Sequence, residues 1–234
     1  MCGRYTLRSR GKAKPYGVPE SLLPLLIPRY NIAPSQPVPA IIERANKEDR
    51  GERGREMQML KWGLVPSWST ETTGFINARA ETLARKPSFA ESFLKRRCLI
   101  PADGFYEWKR SGKWKQPFFF QMKDESPFAF AGIWDKWQSG YASITSCAII
   151  TTTPNDLLAE IHDRMPVILT ADSYDAWLRE TADPRELKAL LAPYPAAAMK
   201  SFPVSTKVNS ALIDEPQLVE PIDLKPEMTT GRLF

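Results

Sequence analysis

The sequence predicts an α+β protein with a curved, barrel-like and mostly antiparallel β-sheet at its core and short helices at its periphery. Short alternating runs of aromatic and β-branched residues recur along the chain, whereas helical signals are fewer and brief. The 21 prolines are spread out, so that no linker divides the chain, and no internal repeat is present. We therefore expect one domain over residues 1–234.

Seven runs have the alternation and composition of strands. In chain order they are RYTLR (4–8), PVPAIIER (37–44), MQMLKWGLV (57–65), CLIPADGFYEW (98–108), PFFFQM (117–122), FAFAGIW (128–134) and CAIITTT (147–153). The charged run ERANKEDRGERGR (43–55), between the second and third, predicts a solvated hairpin loop.

Four stretches predict short helices. AETLARK follows Arg79, DLLAEIH follows an Asn155 N-cap, and DSYDAWLRE begins at Asp172. PRELKALL begins at Pro184, which suits the first helical position, and Asp183 before it is a favourable N-cap.

Composition and cysteine spacing exclude several classes of protein. The formal net charge of +5 favours a polyanionic partner without requiring one. Cys2, Cys98 and Cys147 are odd in number and widely spaced, which argues against a disulfide framework or a zinc site and indicates a reducing compartment. No segment resembles a secretory signal or approaches the ~20 apolar residues that span a bilayer. We expect a cytoplasmic protein that uses no cofactor or metal.

The most informative segment is the amino terminus, MCG. Loss of Met1, the usual outcome before a small residue, leaves Cys2 with an α-amine and a thiol on adjacent carbons. An α-amine has a reference pKa of about 7.7 to 8.0, so a useful fraction is unprotonated near neutral pH. Amines form Schiff bases with carbonyls, and the neighbouring thiol can trap the imine by closing a five-membered thiazolidine.

Two further considerations apply to this cysteine. A thiol pKa near 8.5, lowered if Arg4 or another cation is close, would help ring closure. Chance placement, or reversible lipidation beside a basic segment, is the alternative to a catalytic role.

Two titratable residues lie where they can serve such chemistry. The single histidine, His162, stands between a helix signal and an apolar strand, and its unperturbed pKa near 6.5 suits proton transfer, although a structural role is equally compatible. Glu107 shares one face of its strand with Phe105. If Phe105 points into the core, Glu107 is an inward acid with a raised pKa that can protonate a sugar ring oxygen; otherwise it is a surface residue.

Two polar or aromatic groups are weaker candidates. In FINARAET an extended chain puts Asn77, Arg79 and Glu81 on one face, where an amide and a phosphate-binding arginine, or an exposed strand edge, fit equally well. Trp62 lies beside a cation and Trp68 lies in a predicted turn, and both are candidates for stacking on unpaired bases.

Ten short blocks follow one another in order over nearly the whole chain: MCGRYTL (1–7), RYNIAPSQ (29–36), LKWGLVPSW (60–68), INARAET (76–82), CLIPADGFYEWK (98–109), KQPFFF (115–120), FAFAGIW (128–134), TTTPN (151–155), IHDRMPVIL (161–169) and PVSTKVN (203–209). Together they resemble the SOS response-associated peptidase family of abasic-site processing proteins. The loop at 43–55 and the tail after about residue 210 match less clearly.

The resemblance implies a DNA-damage response protein whose Cys2 forms a thiazolidine with the ring-opened aldehyde of an abasic site in single-stranded DNA, by lyase-type Schiff-base chemistry. It implies that Asn77, Glu107 and His162 are active-site residues, with Glu107 opening the sugar ring and His162 taking part in proton steps. By the same resemblance Arg4 and Arg79 bind phosphates and Trp68 is an aromatic wedge. We expect a monomer that needs no protein partner or membrane and associates with the nucleoid if bacterial.

Two other functions are compatible with the residues. Cys2, His162 and Asn77 are the residue types of a cysteine peptidase triad, whose activity could be limited to removal of Met1. A single-strand binding module without a covalent step is the second.

Overall fold

The computed structural model describes residues 2–8, 16–18, 26–45, 53–112, 114–180 and 182–224. Within these ranges the strands are β1 (Tyr5–Leu7), β2 (Arg29–Ile32), β3 (Pro37–Ala45), β4 (Arg53–Trp62), β5 (Asn77–Arg79), β6 (Arg97–Ala102), β7 (Gly104–Ser111), β8 (Trp114–Met122), β9 (Phe128–Ser139), β10 (Ala142–Thr152), β11 (Met165–Pro166), β12 (Ile168–Leu169) and β13 (Met199–Pro203). The α-helices are α1 (Ala90–Lys95), α2 (Asp156–Ala159), α3 (Tyr174–Leu178) and α4 (Pro184–Ala189). None of the described helices is long and apolar enough to cross a membrane.

Five strands close into a barrel. β3 pairs with both β4 and β6, β9 pairs with β6 and β10, and β10 completes the ring by pairing with β4. The β10–β4 contact is parallel and the other four are antiparallel. Closure leaves no free edge in this part of the sheet. The predicted α+β class with a barrel-like, mostly antiparallel core is confirmed.

A second sheet packs against the barrel and carries the amino terminus. Its strand order is β13-β8-β7-β1-β2, so that β1 lies directly beside β7. Tyr5 of β1 makes edge contacts with Trp62 of β4 and Phe130 of β9, at centroid distances of 5.4 and 5.6 Å. Burial of three large rings fixes the start of the chain against the barrel.

Three of the four predicted helices are present. Asn155 accepts a hydrogen bond from the Leu158 backbone at the start of α2, and Asp183 accepts one from the Arg185 backbone at the start of α4. The stretch from Asp172 forms a 3-10 turn, Ala171–Ser173, that continues into α3. The predicted helix AETLARK is wrong: residues 80–85 form successive turns, and the helix α1 begins later, at Ala90.

One predicted strand and one predicted loop need correction. The predicted strand 98–108 is two strands, β6 and β7, because the buried Asp103 between them leaves the ladder and binds the Thr6 hydroxyl at 2.6 Å. Gly104 follows because a Cβ there would lie 2.1 Å from the Phe119 ring. The predicted loop 43–55 is shorter than expected, since β3 and β4 remain paired to Ala45 and Arg53; residues 46–52 lie outside the described ranges.

Candidate active site

Cys2 is fully buried at the head of β1 and is held through its backbone. Its carbonyl accepts a hydrogen bond of 2.9 Å from Nδ2 of Asn77, and its Sγ lies 4.0 Å from the Arg4 carbonyl. The Arg4 carbonyl in turn accepts a 3.0 Å hydrogen bond from the Tyr106 backbone. Cys2 is therefore tied to both β5 and β7, the two strands that bear Asn77 and Glu107.

Asn77 is positioned by the barrel. β5 runs parallel to β10, with Asn77 opposite Ile149, and the carbonyl of Ile76 accepts a 2.8 Å hydrogen bond from the Trp62 indole. The Oδ1 atom of Asn77 is buried and has no hydrogen-bond partner among the described residues. The amide thus anchors Cys2 with its donor and keeps an acceptor for another group.

Trp62 was predicted as a candidate for base stacking, and that prediction is wrong. Its side chain is fully buried inside the barrel, where it contacts Tyr5 and supports the backbone before Asn77. Its role at the site is structural.

Glu107 points inward, which is one of the two orientations that the sequence left open. Its side chain is 2% exposed and Phe105 is fully buried. Burial raises the pKa of Glu107 to about 7, because the ionised carboxylate has lost most of its water. At neutral pH this carboxyl exists in comparable amounts as acid and base.

His162 faces Glu107 from the turn after α2. Its Nε2 lies 3.8 Å from Glu107 Oε2, and its backbone N–H donates to the Leu158 carbonyl at 2.8 Å. Nδ1 lies 3.0 Å from the Arg164 backbone nitrogen, from which it can accept a hydrogen bond, and 3.0 Å from Oδ1 of Asp163, to which it can donate one, so both tautomers of the neutral ring have a partner. Desolvation lowers the pKa of His162, so the neutral ring is favoured.

The Cys2 thiol does not have the lowered pKa that was considered from the sequence. Burial, and then the negative charge of Glu107, raise its pKa well above the ordinary value. Arg4 does not counter this, because its guanidinium is turned toward the Gly3 and Asn209 carbonyls, at 3.4 and 3.2 Å. The thiol is protonated at neutral pH, and its reaction requires a base.

Asn77, Arg79 and Glu81 were predicted to lie on one face of an extended chain, and the structure places only Asn77 and Arg79 on a common strand. Arg79 ends β5 two residues after Asn77 and is exposed. Glu81 lies in the following turn, where its carboxylate binds Nη1 and Nη2 of Arg164 at 2.6 and 2.9 Å. The strand is too short to carry the alternation to Glu81.

Trp68 is exposed, as a ligand-stacking residue must be. The indole is 63% exposed, on the loop between β4 and β5. The loop is anchored at Ser67, whose backbone donates to Asp135 at 2.9 Å, and at Ser69, whose carbonyl accepts from the Trp137 indole at 2.7 Å. Trp68 is therefore displayed from a fixed turn.

Sequence reasoning missed two residues that organise the site. Arg164 is nearly buried and binds Glu81 and the Thr151 carbonyl while its backbone holds His162. Asn209 accepts from the Trp108 indole at 2.7 Å through Oδ1 and from Arg4 through its carbonyl. The position of Arg164 two residues after the single histidine, within the block IHDRMPVIL, was the available signal for the first.

No group of three or more His, Cys, Asp or Glu side chains within the described ranges is arranged to hold a metal ion. The fold and the site define a β-barrel protein in which a buried thiol, an amide, a buried carboxyl and an imidazole come from four separate chain segments. The model of the family described as SOS response associated peptidase matches residues 1–211. The chain belongs to this family.

Relatives of known name are similar over most of the chain. The abasic site processing protein YoqW of Bacillus subtilis is 43% identical over 230 residues, covering 94% of this chain and 99% of that protein. The abasic site processing protein HMCES of Gallus gallus is 34% identical, covering 84% of this chain and 67% of that protein. A crystal structure of a protein from Bacteroides thetaiotaomicron, 28% identical, superposes with a TM-score of 0.78 and covers 93% of this chain and 99% of that one.

Proposed function

We propose that this protein processes abasic sites in single-stranded DNA by covalent capture, forming a thiazolidine between Cys2 and the deoxyribose aldehyde. The observation that carries the proposal is the hydrogen bond from Asn77 to the Cys2 carbonyl, which holds Cys2 against β5 while the pairing of β1 with β7 brings it beside the strand of Glu107, the residue that His162 faces. The names of the relatives support the choice of abasic DNA as substrate. Met1 itself lies outside the described residues, and its removal is part of the proposal.

The first step is opening of the sugar. An abasic deoxyribose is mostly a closed hemiacetal, which has no free aldehyde for an amine to attack. Glu107, with a pKa near 7, can donate a proton to the ring oxygen as the C1′ hydroxyl loses its own, which breaks the ring C–O bond and yields the aldehyde.

The second step is ring closure. The α-amine of Cys2 adds to C1′, and loss of water leaves the imine. The neutral thiol then gives its proton to a base as sulfur bonds to C1′, and the ring nitrogen gains a proton. One aldehyde and one aminothiol give one thiazolidine and one water, without an external oxidant or cofactor. Glu107, ionised after the first step, is the base that the raised thiol pKa requires.

Asn77 and His162 support these steps in different ways. The Asn77 amide holds the Cys2 backbone and offers its unpartnered Oδ1 to the protonated amine or carbinolamine. His162, which faces Glu107 and is neutral at rest, can take up a proton as the imidazolium and pass it to that carboxyl, and so serves both closure and reversal.

We further propose that Arg4 and Arg79 bind phosphates on either side of the captured sugar and that Trp68 stacks on a neighbouring unpaired base. Arg79 is exposed on the strand of Asn77, and Trp68 is exposed on the loop leading to that strand. A few phosphate contacts suffice to hold a flexible strand, in keeping with the modest net charge.

The cysteine peptidase alternative is less well supported by the contacts. A Cys-His-Asn triad needs the amide to orient the imidazole. Here Asn77 donates to Cys2, and the Nδ1 of His162 is bound by the Arg164 backbone instead.

The decisive experiment is the intact mass of the processed protein after incubation with an oligonucleotide that contains one abasic site. We expect a mass equal to protein plus oligonucleotide minus one water, and none with a tetrahydrofuran analogue that lacks the aldehyde. A chain that keeps one extra residue ahead of Cys2 has a thiol but no adjacent free amine, and must not form the stable adduct. If the chain with the extra residue still hydrolyses peptides, and the processed chain forms no adduct, the peptidase function would be favoured.

A further inference from the structure

The hairpin that bears Glu107 continues outward to an exposed tryptophan. β7 and β8 remain paired from Phe105 opposite Phe120 to Ser111 opposite Trp114. The Trp114 indole is 73% exposed. Between residues 108 and 116 the sequence has four basic residues and no acidic one. A large exposed ring within such a charge cluster is typical of a surface that binds a polyanion.

Strand alternation places this ring on the same face as Glu107. Directly paired residues share a face, and the pairs Glu107 with Phe118, Lys109 with Gln116 and Ser111 with Trp114 follow at intervals of two. With a rise of about 3.3 Å per residue, the tip lies about 13 Å beyond Glu107. The face therefore leads from the buried carboxyl past Lys109 to Trp114.

The other face of the hairpin also carries charge. Arg110 alternates with Lys109, so it lies on the opposite face of the strand, where it is exposed. Its charge makes only a small contribution to lowering the pKa of His162, for which desolvation is the main cause. The exposed Lys109 is therefore the basic residue of β7 on the Glu107 face.

We infer that the outer part of this hairpin binds the single-stranded DNA that flanks the captured nucleotide on one side, with Trp114 stacked on an unpaired base and Lys109 against a phosphate. The identity of the nucleotide at Glu107 rests on the proposed function. The contact with the flanking strand is noncovalent and can be tested without any covalent capture. Charge complementarity selects a nucleic acid over a second copy of this basic chain as the occupant.

The test measures the affinity of the processed protein for three oligonucleotides that carry a tetrahydrofuran abasic analogue. One has a single nucleotide on each side, and the other two are extended by about ten nucleotides on the 5′ or the 3′ side, within the range of single-strand sites. The variants are Trp114→Ala and Lys109→Gln. Tyr141→Ala is the matched control, because Tyr141 is a fully exposed aromatic beside Gly140 at the tip of the β9–β10 hairpin.

We expect Trp114→Ala to weaken binding of one extended oligonucleotide by roughly 5- to 100-fold, and to leave the short one and the other extension unchanged. Lys109→Gln is expected to make the logarithmic salt slope for that same oligonucleotide shallower by about 0.7. Tyr141→Ala is expected to match the wild type throughout.

The inference is overturned if Trp114→Ala binds all three like the wild type, if it weakens all three equally, or if it changes the oligomeric state in place of the affinity. Capture of abasic DNA is scored separately by intact mass. If wild-type protein binds the extended strand through Trp114 yet forms no adduct, the proposed function fails while the hairpin surface stands.

Discussion

The Nε2 atom of His162 lies 3.8 Å from Oε2 of Glu107, and burial shifts the pKa of each residue toward its neutral form. The two side chains come from elements far apart in sequence, β7 and the turn after α2. Because both shifts have desolvation as their largest cause, the pair holds one exchangeable proton near neutral pH instead of forming a stable ion pair. Such a pair is suited to donating a proton and then recovering it within one reaction cycle.

The rate of sugar opening is expected to fall as pH rises through about 7, because this step uses the protonated form of Glu107. Glu107→Gln removes this titration and is expected to slow capture by about 100-fold at pH 6. Since the α-amine must be unprotonated to react, single-turnover rates from pH 5 to 9 are divided by those for a pre-opened aldehyde oligonucleotide, which needs only the amine and thiol steps. A wild-type ratio that increases steadily to pH 9 would contradict the acid role.

The same carboxyl is expected to reduce stability at high pH. The ordinary pKa of 4.5 applies to the unfolded chain and a value of about 7 to the fold, so the folded state binds more protons between them. Stability from Glu107 is thus full below about 4.5 and is lost as pH rises through about 7, by on the order of 3 kcal/mol. Glu107→Gln is expected to be more stable than the wild type at pH 8, with the difference vanishing near pH 4. Denaturant unfolding at both pH values gives the comparison, and an equal difference at the two would exclude the linkage.

The caps of α2 and α4 follow from local patterns, and the sequence predicted them. For Glu107, alternation fixed the face that it shares with Phe105 but left its burial open. The burial of Trp62 and the exposure of Trp68 do not follow from local patterns. Both are tryptophans next to polar or charged residues, and only the parallel contact of β4 with β10, formed by segments more than 80 residues apart, encloses the first and leaves the second outside. The single-domain boundary at 1–234 stays a prediction.

Local sequence patterns likewise did not predict the residues that hold the site in place. Arg164 and Glu81 read as ordinary charged residues, and their partnership depends on the turn that ends β5. The raised pKa of the Cys2 thiol depends on burial by the whole sheet, which no residue near the terminus indicates.

Asn77→Ala is expected to slow adduct formation by roughly 10- to 100-fold, because Cys2 loses the hydrogen bond that orients its backbone. The cost in stability should be about 1 kcal/mol, typical of one hydrogen bond. Capture rate and unfolding midpoint are measured on the same samples. Asn77→Asp keeps the size but loses the donor, and capture at the wild-type rate by both variants would remove Asn77 from the mechanism.

Asp163→Asn is expected to lower the pKa of His162 further, since it removes the carboxylate 3.0 Å from Nδ1 that raises this pKa. The protein has a single histidine, so one imidazole resonance reports this pKa directly by NMR titration. Glu91→Gln breaks an exposed pair with Arg96 beside α1 and serves as the control. A His162 titration equal in Asp163→Asn and the wild type would show that this carboxylate does not act on the imidazole.

Arg79→Ala is expected to weaken binding to single-stranded DNA and to make its logarithmic salt slope shallower by about 0.7, the change for one lost phosphate contact. The arginine is exposed on β5 beside the proposed substrate, and its removal leaves the hydrogen bonds of the strand intact. Binding of a tetrahydrofuran-containing oligonucleotide at several salt concentrations measures the slope independently of capture. Arg185→Ala, which removes an exposed arginine from α4, is the matched control for net charge. If both variants change the slope equally, the effect comes from overall charge, and Arg79 makes no specific phosphate contact.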